Sequence, residues 1–227
     1  MLSRILGLAR DIVIANFFGA GAGSDAFFIA FKIPNFLRRL FAEGAFSQAF
    51  VPVLSEYKIK HPREAVQLLV DRVAGTFGLT LGAVTLLGVA GAPVLIMLFA
   101  PGFIGQEAKL MLAGDMLRLT FPYLLFISLT AFSGAILNTY GRFAVPAFTP
   151  VLLNLSLIAA VFLLSPHLSQ PIMALAWGVL AAGLAQLLFQ LPFLLGIGLL
   201  PKPKLKPPHE GVGRIMTLMV PALFGVS

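Results

Sequence analysis

The sequence predicts an all-α fold, namely a polytopic helical membrane protein with six crossings and the start of a seventh helix. Its composition is 59% hydrophobic and 11% charged, with a mean hydropathy of +0.96, whereas soluble domains carry about 25% charged residues. Three runs lack Asp, Glu, Lys and Arg, namely 73–106, 119–141 and 143–201. Each run reaches the length of roughly 20 residues that an apolar helix needs to cross a bilayer. None alternates polar and apolar residues, as the strands of a membrane barrel would.

The apolar segments follow one another with short polar connections. The first covers 1–20, and the second, 24–57, is too long for one straight crossing. Pro34 leaves the carbonyl four residues earlier without its donor, so we expect a kink or break nearby, with further bends at Gly44 and Pro52. A polar stretch at 57–72 precedes the later segments, which are 73–100, 110–140 with a kink at Pro122, 144–164, and a sixth that ends near 200. We therefore divide the chain into a six-helix lobe at 1–200, a linker at 201–214 and the truncated start of a seventh helix at 215–227.

The basic residues of the connections predict the orientation. Loops two, four and six share one face with the amino terminus and hold Lys58, Lys60, Arg63, Arg142, Lys202, Lys204, Lys206 and Arg214, whereas the opposite loops hold only Lys109. This asymmetry places the amino terminus in the cytoplasm. It also accounts for most of the net charge of +7, so a nucleic-acid partner is unnecessary. The linker is rich in proline and lysine, so we expect it to be extended and exposed, with a weak attraction to anionic membrane lipids.

Charged residues inside the first two segments need a separate explanation. Arg4, Arg10 and Asp11 lie in the first, and the second carries further charges at positions 25, 32, 38, 39 and 43. Each charge at a helix centre costs about 2.5–3.5 kcal/mol on the insertion scale, so intramembrane charges usually face a wet cavity or one another. Spacings of seven, as between Arg4 and Asp11, place residues on one helix face. The pattern predicts a polar cavity walled chiefly by the first two helices.

Structural roles compete with this interpretation. Arg4 lies close enough to the helix end to reach the interface, and Arg10 with Asp11 could be an ion pair that holds helices together. Arg39 and Glu43 are four residues apart and could pair on one helix. Interhelical hydrogen bonds are the expected role of the amides in later segments, which are Asn138, Asn154, Gln186 and Gln190. Arg38 is the residue most favoured as a ligand contact.

No group of residues predicts catalysis or metal binding. The chain has no cysteine. His61 and His167 lie in predicted loops without other metal-binding residues beside them. No nucleophilic residue can be matched with a general base to form a catalytic site. A cationic cavity in a membrane suits an anionic head group, because guanidinium binds phosphate bidentately and stays charged. Residue chemistry alone therefore predicts a transporter or flippase for an anionic substrate, and not an enzyme.

Several motifs resemble one known family. SRILGLARD (3–11) and SDAFFIAFKIPNFLRRLFAEGAFSQAFVPVLSEYK (24–58) are the most specific. PGF (101–103), FPYLLFISL (121–129), GAILNTYGRFAVPAFTPVLLN (134–154) and ALAWGV (174–179) continue in order. Together they resemble the MviN/MurJ family of lipid II flippases, which belongs to the superfamily of multidrug and polysaccharide exporters. The resemblance covers essentially the whole chain.

This resemblance implies a function and a set of site residues. It implies movement of lipid II, the lipid-linked peptidoglycan precursor, to the outer leaflet of the bacterial inner membrane by alternating access, for cell wall biogenesis. It implies no cofactor beyond coupling to membrane potential or a monovalent cation. The family's cavity residues correspond to Ser3, Arg4, Arg10, Asp11, Asp25, Asn35, Arg38, Arg39 and Glu43. Arg10 becomes a pyrophosphate contact, and Asp25 becomes a gate or structural partner.

The length of the chain departs from the family. Its members resemble one another in having two lobes of six helices, and they are roughly twice as long as this sequence. We therefore expect an amino-terminal lobe whose partner is the carboxyl-terminal lobe of the same protein. Two other functions stay open, namely export of drugs or of another polyprenyl-linked glycan, and a non-transporting membrane scaffold.

Overall fold

The computed structural model describes residues 2–206 and 209–225, with the side chains of 2, 40–43 and 222–225 left out of the description. Within these residues the chain forms α-helices, short 3₁₀ turns and one π-helix, with no strand, which confirms the all-α fold class. The helices are α1 (Leu2–Phe18), α2 (Ala22–Arg38), α3 (Ser47–Lys60), α4 (Arg63–Ala90), α5 (Ala92–Phe99), α6 (Glu107–Thr120), α7 (Tyr123–Thr139), α8 (Ala144–Leu163), α9 (Met173–Gly196) and α10 (Glu210–Gly225).

Four stretches of the described chain are long and apolar enough to cross a membrane. They are Arg63–Ala90, Glu107–Thr139, Ala144–His167 and Met173–Gly196. Helices α1 and α2 have 17 residues each, which is the lower end of the range for a crossing. The protein is therefore a multi-pass membrane protein.

The second predicted segment is built from three pieces, and the irregular one includes Gly44, where a further bend was expected. Helix α2 runs through Pro34 to Arg38, and a π-helix over Arg39–Phe46 then joins it to α3. Thr120 explains why α2 continues, because its hydroxyl donates to the carbonyl of Ala30 at 3.0 Å. This carbonyl is the one that Pro34 leaves without a backbone donor.

The stretch 57–72, predicted as a polar connection, is mostly helical. Helix α4 begins at Arg63, ten residues before the expected start of the span. Asp71 and Arg72 are buried, with 1% and 7% of their surface exposed. These two charged residues therefore lie on a helix that packs inside the protein, and not in an exposed connection.

The chain divides into two compact units. The first contains Met1–Phe36, Val84–Phe126 and Phe148–Gln186. Its interior includes Phe27 and Phe121, each with at most 2% of its surface exposed. The ring of Phe121 lies directly over Gly88, where any Cβ would overlap it. Close packing of an aromatic ring against a helix backbone thus joins α4 to the start of α7 in this unit.

The second unit contains Leu37–Ala83, Ile127–Ala147 and Leu187–Ser227. Its core is an aromatic stack in which the rings of Phe46 and Phe77 lie 4.1 Å apart and those of Phe50 and Phe132 lie 5.1 Å apart. Helix α10 packs against the π-helix and α3 in this unit. It begins at Glu210, inside the range predicted as linker, because an acidic residue in the first turn favours a helix start.

Candidate functional site

Arg10 is the centre of a polar cluster in the first unit. It lies on α1, and its Nε and Nη2 donate to Oδ1 of Asp11 at 2.9 and 2.6 Å. Its Nη1 donates to Oδ1 of Asn154 on α8 at 3.1 Å. The side chain of Arg10 is 24% exposed and that of Asp11 is 60% exposed. The guanidinium is therefore oriented from two sides and still reachable from outside the protein.

Asn154 is the buried member of this cluster, with 6% of its surface exposed. While its oxygen accepts from Arg10, its Nδ2 donates to the backbone carbonyl of Ser3 at 3.1 Å. Gly7 faces the amide, and a Cβ at that position would lie 3.9 Å from Nδ2. Asn154 thus joins α8 to α1, as the sequence suggested for an amide in a span. Its contact with Arg10 was not foreseen, although an Asn in an apolar segment opposite a charged helix is a usable signal.

Asp25, in the first turn of α2, forms an ion pair with Lys109, which the sequence pattern does not indicate as a site residue. Nζ of Lys109 on α6 lies 2.7 Å from Oδ2 of Asp25. The same ammonium lies 4.3 Å from the ring centre of Phe103. The Lys109 side chain is 14% exposed, whereas that of Asp25 is 58% exposed. The pair therefore fixes a lysine and leaves a carboxylate accessible.

The other predicted residues of the first unit differ in exposure. Ser3 is half-buried and contributes its carbonyl to Asn154, Arg4 is exposed, and Asn35 is half-buried. The spacing of seven placed Asp11 on the face of Arg4, but Asp11 pairs with its neighbour Arg10. The structure brings Arg10, Asp11 and the backbone of Ser3 together through Asn154.

Three predicted residues lie in the second unit. Arg38 ends α2 and is half-buried, and Arg39 begins the π-helix and is exposed. Glu43 lies on the same π-helix, but its side chain is outside the described residues. Single turns of π-helix are uncommon and often occur at functional sites. The stretch that carries these charges is thus irregular in its winding as well as in its composition.

The chemistry available at these residues is anion binding. Arginine presents a rigid fork of donors that matches phosphate, and its charge persists at any physiological pH. Among the described residues no group of three His, Asp or Glu side chains is placed to hold a metal ion. Arg10, which Asp11 and Asn154 orient, is the best-prepared anion contact in the first unit.

Comparisons with known proteins agree on one family. The model of the family "Lipid II flippase MurJ" matches residues 14–227. A probable lipid II flippase MurJ of Vibrio cholerae is 53% identical over 234 residues, covering 100% of this chain and 45% of that protein. The lipid II flippase MurJ of Burkholderia cenocepacia is 46% identical over 231 residues, again covering 100% of this chain and 45% of the relative.

A solved structure gives the same result. It is described as lipid II flippase MurJ in an inward closed conformation, and it matches with a TM-score of 0.80 and 32% sequence identity. The match covers 99% of this chain and 45% of that one. The chain thus spans about 45% of the length of the relatives that it matches. With these matches over nearly its whole length, the chain belongs to the lipid II flippase MurJ family.

Proposed function

We propose that the whole protein moves lipid II from the cytoplasmic to the outer leaflet of the bacterial inner membrane by alternating access. In this proposal the chain supplies the amino-terminal lobe (1–200), the linker and the start of the seventh helix, and the carboxyl-terminal lobe of the same protein is its partner. The observation that carries the proposal is Arg10, a membrane-helix guanidinium held by Asp11 and Asn154 and still partly exposed. In a family of lipid II flippases, a fixed cation of this kind suits the pyrophosphate of the substrate.

The remaining site residues keep a substrate-binding role in this proposal. They are Ser3, Arg4, Asp11, Asp25, Asn35, Arg38, Arg39 and Glu43. Asp25 carries the same sign as the phosphate, so its proposed role is a gate or structural partner, in agreement with its ion pair to Lys109. The proposed transport is driven by membrane potential or a monovalent cation, with no catalytic step.

A binding measurement on the whole protein tests the proposal. Native mass spectrometry with lipid II compares wild type with Arg10→Ala and Arg38→Ala. The matched control is Arg118→Ala, because Arg118 also pairs with a nearby aspartate, Asp115 at 2.7 Å, and lies in an exposed position. We expect lipid II retention to fall in the first two variants and to persist in the control. Equal retention in all of them would overturn the cationic contact.

A second measurement addresses the type of substrate. Proteoliposomes that contain the whole protein are offered lipid II, another polyprenyl-pyrophosphate glycan, or a cationic dye. We expect transfer of lipid II in preference to both others, since a site rich in guanidinium repels cations. Transfer of the second glycan alone would favour a different exporter, and transfer of none would favour a scaffold.

The proposed orientation has the amino terminus in the cytoplasm. In a cysteine-free background, single cysteines at Lys60 and Ile104, both exposed, report the two faces. We expect a membrane-impermeant maleimide added outside intact spheroplasts to label Ile104→Cys and to leave Lys60→Cys unlabelled. The reverse pattern would invert the topology.

A further inference from the structure

One face of α4 forms a receptor for the chain that follows α9. Arg63, Gln67, Asp71 and Gly75 are spaced by four residues and so share a helix face. Arg63 Nη2 donates to the carbonyl of Ile197. Gln67 Nε2 donates to the carbonyl of Leu200 at 3.0 Å and to Asp71 Oδ1 at 2.6 Å. The segment from Ile197 onward is therefore held along this face.

Asp71 makes the largest number of contacts with this segment. Its Oδ1 accepts from the backbone N–H of Lys202 at 2.8 Å, and its own carbonyl accepts from the N–H of Lys204 at 3.0 Å. Nζ of Lys204 lies 2.8 Å from Oδ2. Pro201 and Pro203 have no N–H to donate. Both backbone donors of residues 201–204 thus end on one aspartate.

Gly75 completes the receptor through its lack of a side chain. A Cβ at this position would lie 2.7 Å from the carbonyl carbon and 2.8 Å from the nitrogen of Lys204, closer than side-chain atoms come to a backbone. Beside this contact, Pro201 and Pro203 line an apolar cavity of about 330 Å³ with Ala74 and Gly78. The segment therefore contacts apolar surface through Pro201 and Pro203, while most of residues 202–206 stays exposed.

The charge of Asp71 makes this docking more than a packing contact. Its side chain is 1% exposed, within a stretch that is apolar enough to span a membrane. A buried carboxylate without a partner is strongly destabilising, whereas hydrogen bonds and a counter-ion compensate for its desolvation. The linker supplies this carboxylate with the backbone N–H of Lys202 and with the ammonium of Lys204 as counter-ion, and Gln67 on α4 donates a further hydrogen bond. Helix α4 and the linker are thus electrostatically complementary.

Helix α10 begins at Glu210, a few residues after the docked segment. Arg214 on α10 lies 2.7 Å from Oε2 of Glu56 on α3, and α10 packs against the π-helix that begins at Arg39. Helix α10 thus meets the π-helix and α3 through packing and through one ion pair. All of these residues belong to the second unit.

We propose that Asp71 is a positioning residue, which holds residues 201–204 against α4 as a fixed strut and thereby fixes α10 on the π-helix. The docking itself is independent of the proposed function, but its effect on transport rests on it. In this view the basic, proline-rich segment is a specific structural ligand of α4 as well as a topology signal.

Limited proteolysis of the whole protein in detergent measures the docking directly. Trypsin does not cut before proline, so Lys204–Leu205 is the cleavable lysine bond in 201–206. Docking ties up both the N–H and the ammonium of Lys204, and cleavage then follows the population of the open form. We expect Asp71→Ala and Gly75→Ala to speed this cleavage by about tenfold or more, tenfold being equivalent to about 1.4 kcal/mol.

Two controls share the same helix or the same segment. Gly82→Ala adds a methyl group on α4 where nothing lies within 4 Å, and Lys206→Met removes a linker charge that precedes proline. Both should leave the rate unchanged, as should cleavage at Lys60–His61 in every variant. If Asp71→Ala does not accumulate, Gly75→Ala gives the same readout with all polar groups kept. Rapid cleavage at Lys204 in the wild type, or unchanged cleavage in both variants, would overturn the docking.

Transport separates the docking from the function. We expect Asp71→Ala to lower lipid II transfer, and Asp71→Asn to recover protection and transfer in part, because an amide oxygen still accepts from Lys202 but no longer pairs with the ammonium of Lys204. Faster proteolysis with normal transfer would leave the docking in place and overturn the positioning role. A wild type that is protected but transfers no lipid II would instead contradict the proposed function alone.

Discussion

Arg10 and Asp71 are both ionised residues in apolar helices, but their surroundings differ. Arg10 has a carboxylate and an amide beside it and keeps 24% of its side chain exposed. Asp71 has 1% of its side chain exposed, and the chain after α9 occupies its oxygens. A charge that remains accessible can serve a ligand, whereas one enclosed by its own chain serves the fold. Burial and partners distinguish the two roles, and helical spacing does not.

The strongest test of this difference is the loss of Arg10. In the whole protein, Arg10→Ala should reduce lipid II transfer about 10- to 100-fold, because hydrogen bonds to charged groups contribute about 1.5–3 kcal/mol and each 1.4 kcal/mol is a factor of ten. Thermal stability should fall less than transfer does, since the Arg10 side chain is partly solvated and the main structural loss is the donor to Asn154. Transfer assays and thermal melting on the same samples measure both, with Arg118→Ala as control. A large loss of stability with a proportionate loss of transfer would mean that Arg10, like Asp71, has a structural role.

The converse variant is Asp71→Ala, for which we expect a loss of stability first. Gln67 and Lys202 lose an acceptor and Lys204 loses its counter-ion, and a hydrogen bond to a charged group contributes about 1.5–3 kcal/mol. Asp115→Ala removes an aspartate from an exposed pair with Arg118, which should cost no more than about 1 kcal/mol. Chemical unfolding in detergent compares them. Equal losses in the two variants would remove the distinction between buried and exposed carboxylates.

The hydrogen bond from Thr120 to Ala30 joins two uncharged groups. It therefore gives a reference for the stability that a buried polar contact contributes in the first unit. Thr120→Val should cost about 1 kcal/mol, the usual contribution of one hydrogen bond, because Ala30 then has a carbonyl without a donor. In a Pro34→Ala background the new N–H can serve that carbonyl, so the same substitution should cost less. Thermal melting of the four proteins measures this coupling. An additive result would show that Thr120 does not compensate for Pro34.

The start of α10 should make the second unit sensitive to pH. Burial, together with the positive charge of Arg72, lowers the pKa of His209 from its usual value of 6.5, while Glu210 acts in the opposite direction. The unfolded state then binds more protons as the pH falls below that value, so stability present above pH 6.5 is lost as the pH falls through the lowered pKa. Melting temperatures at several pH values should show a decline that His209→Gln weakens. An unchanged pH profile would contradict this coupling.

The smallest effect is expected at Lys109. Its partner Asp25 is more than half exposed, and exposed ion pairs contribute about 0.2–1 kcal/mol. Lys109→Met should therefore shift the melting temperature only slightly, like Lys60→Met, which removes another exposed pair, with Glu56. Differential scanning fluorimetry is sufficient. A loss as large as that of Asp71→Ala would mean that exposure alone does not separate the two classes of charge.

The sequence by itself determined that the protein lies in a membrane, that its fold is helical and roughly where its spans lie. Each of these follows from runs of apolar residues without charge. It also selected Arg10 and Asp11, since two charges in an apolar helix are conspicuous. It predicts a kink or break near Pro34 and a further bend at Gly44, and the π-helix includes Gly44. The helix continues through Pro34, where the donor to the freed carbonyl, Thr120, is 86 positions away in the chain. The effect of proline on a helix predicts that the carbonyl of Ala30 loses its backbone donor, but it does not predict which residue replaces that donor.

Only the tertiary structure decided which charged side chains remain accessible and which are enclosed by the chain. Asn154 reaches Arg10 across 144 positions, and Asp71 meets Lys202 across 131. No periodicity within one helix encodes such pairs. The sequence predicts Asp71 and Arg72 in a polar connection, whereas both are buried on α4. The physical reason is that desolvation and hydrogen bonding depend on what surrounds a group in space, whereas hydrophobic patterning depends on neighbours along the chain.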